Sequence, residues 1–265
     1  MKLGIDAYCS CGYDLPMEER FRLIKSAGFS VTSLYWSNEH RHKWPEQARK
    51  IGLEIDHFHA DIGEPNTIWQ EGIDGENYMK MLTDCVEDCK THDVDILAIH
   101  LSNSQSPPPN ELGLNRIAKL VDFAEQKNVK LAFENLWKFE HLDAVFARFN
   151  SPNVGFCYDI GHENLSQNLH YNCLDLHGDR LFCLHIQDND GGEHDLHLLP
   201  FDGNINWREK MQKLKQCKPV DCLMLETCFN WIGPQDHEMR DIYRDLTIEQ
   251  YLALACERAQ KLLTL

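Results

Sequence analysis

The sequence predicts an α/β fold, a single (β/α)₈ TIM barrel that occupies residues 1–265 as one domain. Eight strand-like apolar segments alternate with amphipathic helical segments, as this barrel requires. Several strand segments are continuous apolar runs, which is typical of parallel strands covered by helices on both faces. A doubly wound open sheet is the competing architecture. It is disfavoured because the segment at the end of the first strand, DAYCSCGYD, contains no glycine-rich phosphate loop.

The predicted strands occupy residues 3–8, 31–35, 53–59, 96–101, 129–135, 154–160, 181–187 and 222–227. In the helical segments between them, apolar residues recur at separations of three or four and therefore share one face. These faces consist of Tyr78, Leu82, Cys85 or Val86, and Cys89, then Ile117, Val121 and Ala124, and finally Leu252, Ala255 and Ala259. Gly28, Gly52 and Asn128 are predicted C-terminal caps that lead into the next strand.

The chain carries 26 basic and 42 acidic residues, for a net charge of −16. This charge repels nucleic acid and anionic membranes, so we expect neither as a partner. The eleven cysteines lie mostly inside apolar runs, where a thiol behaves as a small buried hydrophobe, so we expect a reducing, cytoplasmic location. We recognise no secretory leader and no apolar run of the roughly 20 residues that span a bilayer.

Strands three to eight each end on a carboxylate or an imidazole. In a parallel barrel all strand C-termini meet at one mouth, so residues distant in sequence become neighbours there. The strand-end residues are His59, His100, Glu134, Asp159, His185 and Glu226, and His162, Asp195 and His197 follow shortly after strands six and seven. Carboxylate and imidazole are ligands of Zn²⁺ and Mn²⁺, so the set predicts a divalent metal site.

The residues of this set support the predicted metal site to different degrees. A single strand-end histidine is more often a hydrogen-bonded structural residue than a ligand. His57 competes with His59, which we prefer because it lies nearer the strand end. Glu134 and Glu226 close apolar runs, where a carboxylate would be buried without a cation or donor nearby. The two glutamates therefore support the metal site most strongly.

The sequence resembles the xylose-isomerase-like barrel superfamily of sugar and sugar-phosphate isomerases and epimerases, which also contains the endonuclease IV type of abasic-site nucleases. The matching segments are HFHADIGEPNTIW, AIHLS, FENLW, CYDIGHEN, HIQDND, DLHLLPFDGNINW and MLE, in this order from strand three to strand eight. They agree with the superfamily in order, spacing and strand placement.

The resemblance implies that Glu134, Asp159, His185 and Glu226 form the four-ligand metal site of the epimerases. It further implies that Glu134 and Glu226 act as acid and base on opposite faces of the substrate. One removes the proton alpha to a carbonyl and the other returns it, while the metal stabilises the enediolate. Oxygen-rich ligation with one histidine suits Mn²⁺ or Mg²⁺, and the surrounding histidines favour Zn²⁺. We expect Zn²⁺ or Mn²⁺, with Mg²⁺ and Co²⁺ as alternatives.

Five further residues are similar to positions that complete a three-zinc cluster in the nuclease branch, and some equivalents contact substrate or a second metal in the isomerase branch. They are His59, His100, His162, Asp195 and His197. The chain departs from the epimerase pattern at Gln187, where many members have a lysine two residues after the strand-seven histidine.

We therefore expect a metal-dependent isomerase or epimerase of a small sugar, sugar phosphate or related hydroxy-carbonyl compound. The alternatives are a zinc-dependent phosphodiesterase of the endonuclease IV type and a non-catalytic metal- or sugar-binding barrel. The expected partner is a small sugar-like molecule, and a homo-oligomer is left open.

Long loops follow strands at 60–75, 102–110, 188–205 and 228–246. Trp69, in the first of them, is expected either to stack on a sugar or to seal its loop against the barrel.

Overall fold

The computed structural model describes residues 1–9, 15–103, 105–168, 170–229 and 242–265. Within these residues eight parallel strands form one sheet in the order β7-β6-β5-β4-β3-β2-β1-β8. The strands are β1 Lys2–Ile5, β2 Val31–Tyr35, β3 Glu54–His59, β4 Ile96–Ile99, β5 Lys130–Glu134, β6 Val154–Asp159, β7 Leu181–His185 and β8 Cys222–Leu225. Each overlaps a predicted strand, and the (β/α)₈ barrel is confirmed.

The sheet curls into a nearly closed barrel at the seam between β7 and β8. Ile186 and Leu225 form a parallel bridge there. The main-chain N–H of Ile186 donates to Met224 O over 2.9 Å, and the N–H of Glu226 donates to Ile186 O over 3.0 Å. This contact excludes the doubly wound open sheet, in which the two edge strands stay apart.

The helices of the described chain surround the strands. They are α1 Met17–Ser26, α2 Lys43–Ile51, α3 Ile73–Thr91, α4 Glu111–Lys127, α5 Phe139–Arg148, α6 Ile160–Asn164, α7 Cys173–His177, α8 Trp207–Leu214 and α9 Ile248–Leu262, with short 3₁₀ turns at Pro65–Trp69 and Gly178–Arg180. The predicted faces of α3, α4 and α9 are all buried. No helix in these ranges is long and apolar enough to cross a membrane.

The predicted caps end three of these helices. Gly52 and Asn128 adopt left-handed conformations with φ of 88° and 57°. Gly28, with φ of 106°, follows α1 directly after Ala27. A residue in the left-handed conformation allows main-chain N–H groups at the helix end to bond to the unpaired carbonyls of the last helical turn. It also changes the direction of the chain. Each therefore leads into the next strand, as the sequence predicts.

Several strands end one or two residues earlier than predicted. β4 ends at Ile99 and β8 at Leu225, so His100 and Glu226 lie just beyond the regular ladder. Glu226 lines the cavity at the mouth, and His100 Nε2 lies 3.2 Å from Glu134 Oε2. The shortened strands thus place these two candidate ligands on the rim.

Candidate metal centre

Four carboxylate and imidazole side chains from the ends of β5 to β8 converge at the barrel mouth. Glu134, Asp159, His185 and Glu226 each offer one ligand atom, and these atoms all lie within 4.8 Å of one another. His185 Nδ1 is 3.2 Å from Glu134 Oε2 and 3.1 Å from Glu226 Oε2. All four residues are buried. The strand-end rule therefore brings together the tetrad expected from the sequence.

The arrangement of these atoms fits a divalent cation. Asp159 Oδ2 is buried and makes no hydrogen bond, while Glu134 Oε1 and His185 Nδ1 have only ion-pair contacts with neighbouring imidazole and carboxylate groups. A buried polar atom without a partner is costly, and a cation placed beside it removes that cost. Ligands about 2.1 Å from a tetrahedral ion lie roughly 3.4 Å from one another, close to the spacing around His185 Nδ1.

A second histidine orients His185 from inside the barrel. His57 Nε2 is 3.0 Å from His185 Nε2, and His57 Nδ1 is 2.9 Å from Asp56 Oδ2. This contact directs Nδ1 of His185 toward the carboxylates, since an outer hydrogen bond fixes the ring of a ligating histidine. The sequence interpretation weighed His57 only as a substitute for His59. The alternation of His57 and His59 along β3, which points both inward, was the available signal.

Imidazoles surround Glu134. His100 Nε2 is 3.2 Å and His59 Nε2 is 3.4 Å from Glu134 Oε2, and His162 Nδ1 is 3.2 Å from Oε1. His59, His100 and Glu134 form a second group of close ligand atoms. Glu134 therefore belongs to this group as well as to the tetrad.

A third group lies on the other side of the tetrad. His162 Nε2 and His197 Nε2 are 3.0 Å and 2.8 Å from Asp195 Oδ2. Their Nδ1 atoms contact main-chain oxygens, of Asn135 at 3.0 Å and of Glu226 at 2.8 Å. Main-chain acceptors of this kind turn Nε2 toward a shared ligand. His162, Asp195 and His197 thus form an additional candidate metal group.

Gln187 supports this third group. Its Nε2 donates to Asp195 Oδ1 over 2.5 Å, while its Oε1 is buried without a hydrogen-bond partner. A neutral amide therefore contacts the Asp195 carboxylate. Because the amide adds no positive charge, the third group keeps its full attraction for a cation.

The charged groups of the tetrad shift one another's pKa values. Burial raises the pKa of Glu134, but His185 and His100 outweigh it and hold that pKa well below its usual range. Burial also raises the pKa of Glu226, and His185 again makes the net shift downward. Burial raises the pKa of Asp159 to about 7. Burial lowers the pKa of His185, but Glu226 and Glu134 raise it well above its usual range.

The pKa values of the third group are shifted in the same way. Burial lowers the pKa of His197, but the Asp195 carboxylate raises it to about 10. Burial also lowers the pKa of His162, but Asp159 and Asp195 together raise it well above its usual range. Imidazolium protons thus neutralise the carboxylates when no cation is present. A divalent cation would replace these protons.

A cavity of about 460 Å³ opens beside the tetrad at the mouth. Its described lining consists of Asp6, Tyr8, Tyr35, Trp36, Ser37, Asn38, Asp61, Ile62, His197, Glu226, Thr227 and Cys228. Tyr35, the last residue of β2, donates from its hydroxyl to Glu226 Oε1 over 2.9 Å. The sequence interpretation missed Tyr35 because it considered only charged residues and histidines at strand ends.

Trp69 packs within the loop that follows β3. Its indole is 3% exposed, and Nε1 donates to Leu101 O over 2.7 Å. The ring lies against His141, with centroids 4.9 Å apart, and against Gly113 of α4. Of the two expected roles, this packing corresponds to sealing the loop against the barrel. The described lining of the cavity does not include Trp69.

The fold and the site geometry invite comparison with known proteins. The D-psicose 3-epimerase of Clostridium cellulolyticum H10, solved with D-tagatose, superposes with a TM-score of 0.79 at 16% identity and covers 99% of both chains. The IOLI protein, solved with a bound zinc atom, superposes with a TM-score of 0.71 at 19% identity over 100% of this chain and 97% of that one. At these identities the likeness establishes a shared fold.

The curated relatives match a smaller part of the chain than the superposed structures and the family profile do. An uncharacterized protein of Sinorhizobium fredii is 42% identical over 88 residues, which cover 31% of this chain and 28% of that relative's length. The profile described as xylose isomerase-like TIM barrel matches residues 21–244, which extend from α1 to beyond β8. The chain therefore belongs to the xylose isomerase-like TIM barrel family.

Proposed function

We propose that the protein is a divalent-metal-dependent isomerase or epimerase that moves a proton at the carbon next to a carbonyl group of a small sugar-like substrate. The observation that carries the proposal is the convergence of Glu134 and Glu226 on one centre with Asp159 and His185. Sugar 3-epimerases among the superposed structures, such as the D-psicose 3-epimerase, support the same reaction class.

The two glutamates have the properties that proton transfer requires. Their pKa values are lowered, so both are carboxylates at neutral pH and can accept a proton. Glu226 borders the cavity, so a bound substrate meets it directly. The glutamate that removes the substrate proton becomes an acid and later releases that proton to solvent. The opposite glutamate, itself ionised, takes up a proton from solvent before it protonates the other face. A cation held by the tetrad would polarise the substrate carbonyl and stabilise the charge that develops on its oxygen.

The cavity favours an unphosphorylated substrate. Its described lining includes the carboxylates of Asp6, Asp61 and Glu226 and contains no lysine or arginine. A phosphate dianion beside these groups would be repelled, whereas hydroxyl groups can donate hydrogen bonds to them. Tyr8 and Trp36 provide aromatic surface on which the C–H face of a sugar can pack.

Hydrogen exchange tests the proposal. The protein, loaded with Mn²⁺, is incubated in D₂O with D-tagatose, D-psicose, D-fructose and L-ribulose, and deuterium uptake next to the carbonyl is followed by NMR. Uptake is expected with at least one sugar, and Glu226→Gln should slow it about 10²-fold or more, because a general base is lost. Glu257→Gln, at an exposed position on α9, is the matched control.

The contrary outcomes differ in meaning. If Glu226→Gln kept both metal content and exchange, the two-glutamate mechanism would be wrong. If the wild type bound metal and sugar tightly without any exchange, the non-catalytic binding barrel would replace the enzyme.

A second candidate function, a zinc phosphodiesterase, is favoured by further ligand groups beside the tetrad, His59–His100–Glu134 and His162–Asp195–His197. Three metal ions could bind an abasic phosphodiester and activate water. The net charge of −16 opposes binding to a nucleic-acid backbone. About three zinc ions per chain, together with cleavage of an oligonucleotide carrying one abasic site at low salt, would establish this candidate instead.

A further inference from the structure

We propose that Tyr35 is a positioning residue, whose hydroxyl holds the Glu226 carboxylate in the orientation that presents Oε2 to the metal centre. The inference rests on the proposed function, since it assumes that Glu226 serves as ligand and base.

The two oxygens of Glu226 have different partners. Oε1 accepts the Tyr35 hydroxyl over 2.9 Å, and Oε2 lies 3.1 Å from His185 Nδ1, within the tetrad. A carboxylate anchored at one oxygen cannot rotate freely about its terminal torsion, which is otherwise soft. The hydroxyl therefore selects which oxygen faces the centre.

The Tyr35 ring is itself held in place. It stacks on His59, with centroids 4.3 Å apart and planes inclined by 26°. Tyr8 contacts it edge-on, with centroids 5.0 Å apart. Because Tyr35 ends β2, its backbone is also tied into the sheet. A rigid donor loses little entropy when it fixes a carboxylate.

Glu226 needs such a donor more than Glu134 does. Glu134 is enclosed by imidazoles on both of its oxygens. Glu226 instead borders the cavity, and in the described structure its side chain has Tyr35 on one oxygen and His185 on the other. Without the hydroxyl, the carboxylate can turn into the cavity and away from the centre.

The affinity for Mn²⁺ alone tests the inference without using a substrate. The free Mn²⁺ signal in electron paramagnetic resonance gives the affinity of the whole protein. Tyr35→Phe keeps the ring and its stacking and removes only the hydroxyl. We expect Mn²⁺ binding to weaken about 10- to 100-fold, which is typical when the outer partner of a ligand is lost. Only one hydrogen bond is lost, so the variant should remain folded.

Tyr158→Phe is the matched control. Tyr158 is a buried tyrosine that donates to a buried carboxylate, Glu163, outside the tetrad. Its loss should lower the melting temperature as Tyr35→Phe does but leave the Mn²⁺ affinity unchanged.

A double-mutant cycle with Glu226→Gln separates positioning from a general effect on the fold. If Tyr35 acts through Glu226, the affinity lost on removing the hydroxyl should largely disappear in the Glu226→Gln background. Equal Mn²⁺ affinity in Tyr35→Phe and wild type would overturn the inference, as would an equal loss in both backgrounds. Both results leave the proposed function intact, whereas a wild-type protein that binds no Mn²⁺ overturns the two together.

Discussion

Glu134 ends β5 and meets imidazoles from β3, from β7 and from the segments that follow β4 and β6. Its own position in the sequence predicts a buried acid, but its net charge depends on these neighbours. Burial alone would raise its pKa, and the imidazoles reverse the sign. A buried carboxylate that stays ionised in this way is prepared to hold a cation.

The raised pKa values of the histidines predict the pH dependence of metal binding. Without a cation, His197 holds its proton up to a pKa of about 10, and the pKa of His185 is also raised well above its usual range. These protons must leave before the nitrogens can bind a metal, so the Mn²⁺ affinity should rise with pH. The rise should continue between pH 7.5 and 9, at up to about tenfold per pH unit for each proton released.

Calorimetry in buffers of different ionisation enthalpy measures the protons released at each pH. Unperturbed histidines, with a pKa of about 6.5, would instead give an affinity that levels off above about pH 7.5. A plateau there would contradict the assigned charge balance.

The 3₁₀ turn Pro65–Trp69 and the helix α4 act together to hold the loop after β3. Arg116 of α4 donates to the main-chain oxygens of Thr67, Ile68 and Gln70. Asn110, the N-cap of α4, donates to Trp69 O over 2.8 Å. These bonds satisfy loop carbonyls that would otherwise be buried without partners. The helix thus fixes the wall of the mouth beside His59.

Gly113 makes this packing possible. A Cβ at this position would lie 2.1 Å from the Trp69 ring, which is too close for any real contact. Gly113→Ala should therefore destabilise the protein by about 1–3 kcal/mol through overpacking, measured by urea unfolding. The Mn²⁺ affinity should stay unchanged, because the tetrad lies on β5 to β8.

Gly63→Ala is the control for that substitution. Its Cβ would meet neighbours only at 3.5 Å or more, which is ordinary contact. Stability within about 0.5 kcal/mol of wild type is expected. A Gly113→Ala protein as stable as this control would show that the Trp69 seal is not tightly packed.

For the whole molecule, the tetrad links the ends of four successive strands, including the β7–β8 seam where the barrel closes. A cation bound there stabilises the folded chain, because the unfolded chain does not assemble the site. At a free concentration of 100 times the dissociation constant, the gain is about 2.7 kcal/mol.

Removal of the metal should therefore lower the melting temperature. For a chain of this size, the expected drop after chelation is about 5–10 °C, followed by scanning calorimetry with and without Mn²⁺. Glu226→Gln should shrink this difference, because it weakens one ligand. The same melting temperature for both forms of the wild type would contradict the metal centre.

The sequence by itself determined the barrel and the composition of the candidate centre. Apolar runs and their spacing reflect burial on two faces, and the glycine and asparagine caps reflect backbone sterics, so both act locally and can be predicted. The rule that parallel strands end at one mouth gathered six strand-end residues, and the family resemblance then selected Glu134, Asp159, His185 and Glu226 among them.

Only the tertiary structure decided which additional side chains contact the candidate ligands and complete the site. Tyr35 reaches Glu226 across 191 residues of sequence, and His57 reaches His185 across 128. No local pattern encodes such pairs, because they depend on strand register and side-chain direction around a closed barrel. The tertiary structure likewise showed that Trp69 packs in the loop after β3, where it bonds to Leu101. It also determined the charge of Glu134, because the pKa of a buried acid depends on the groups that surround it.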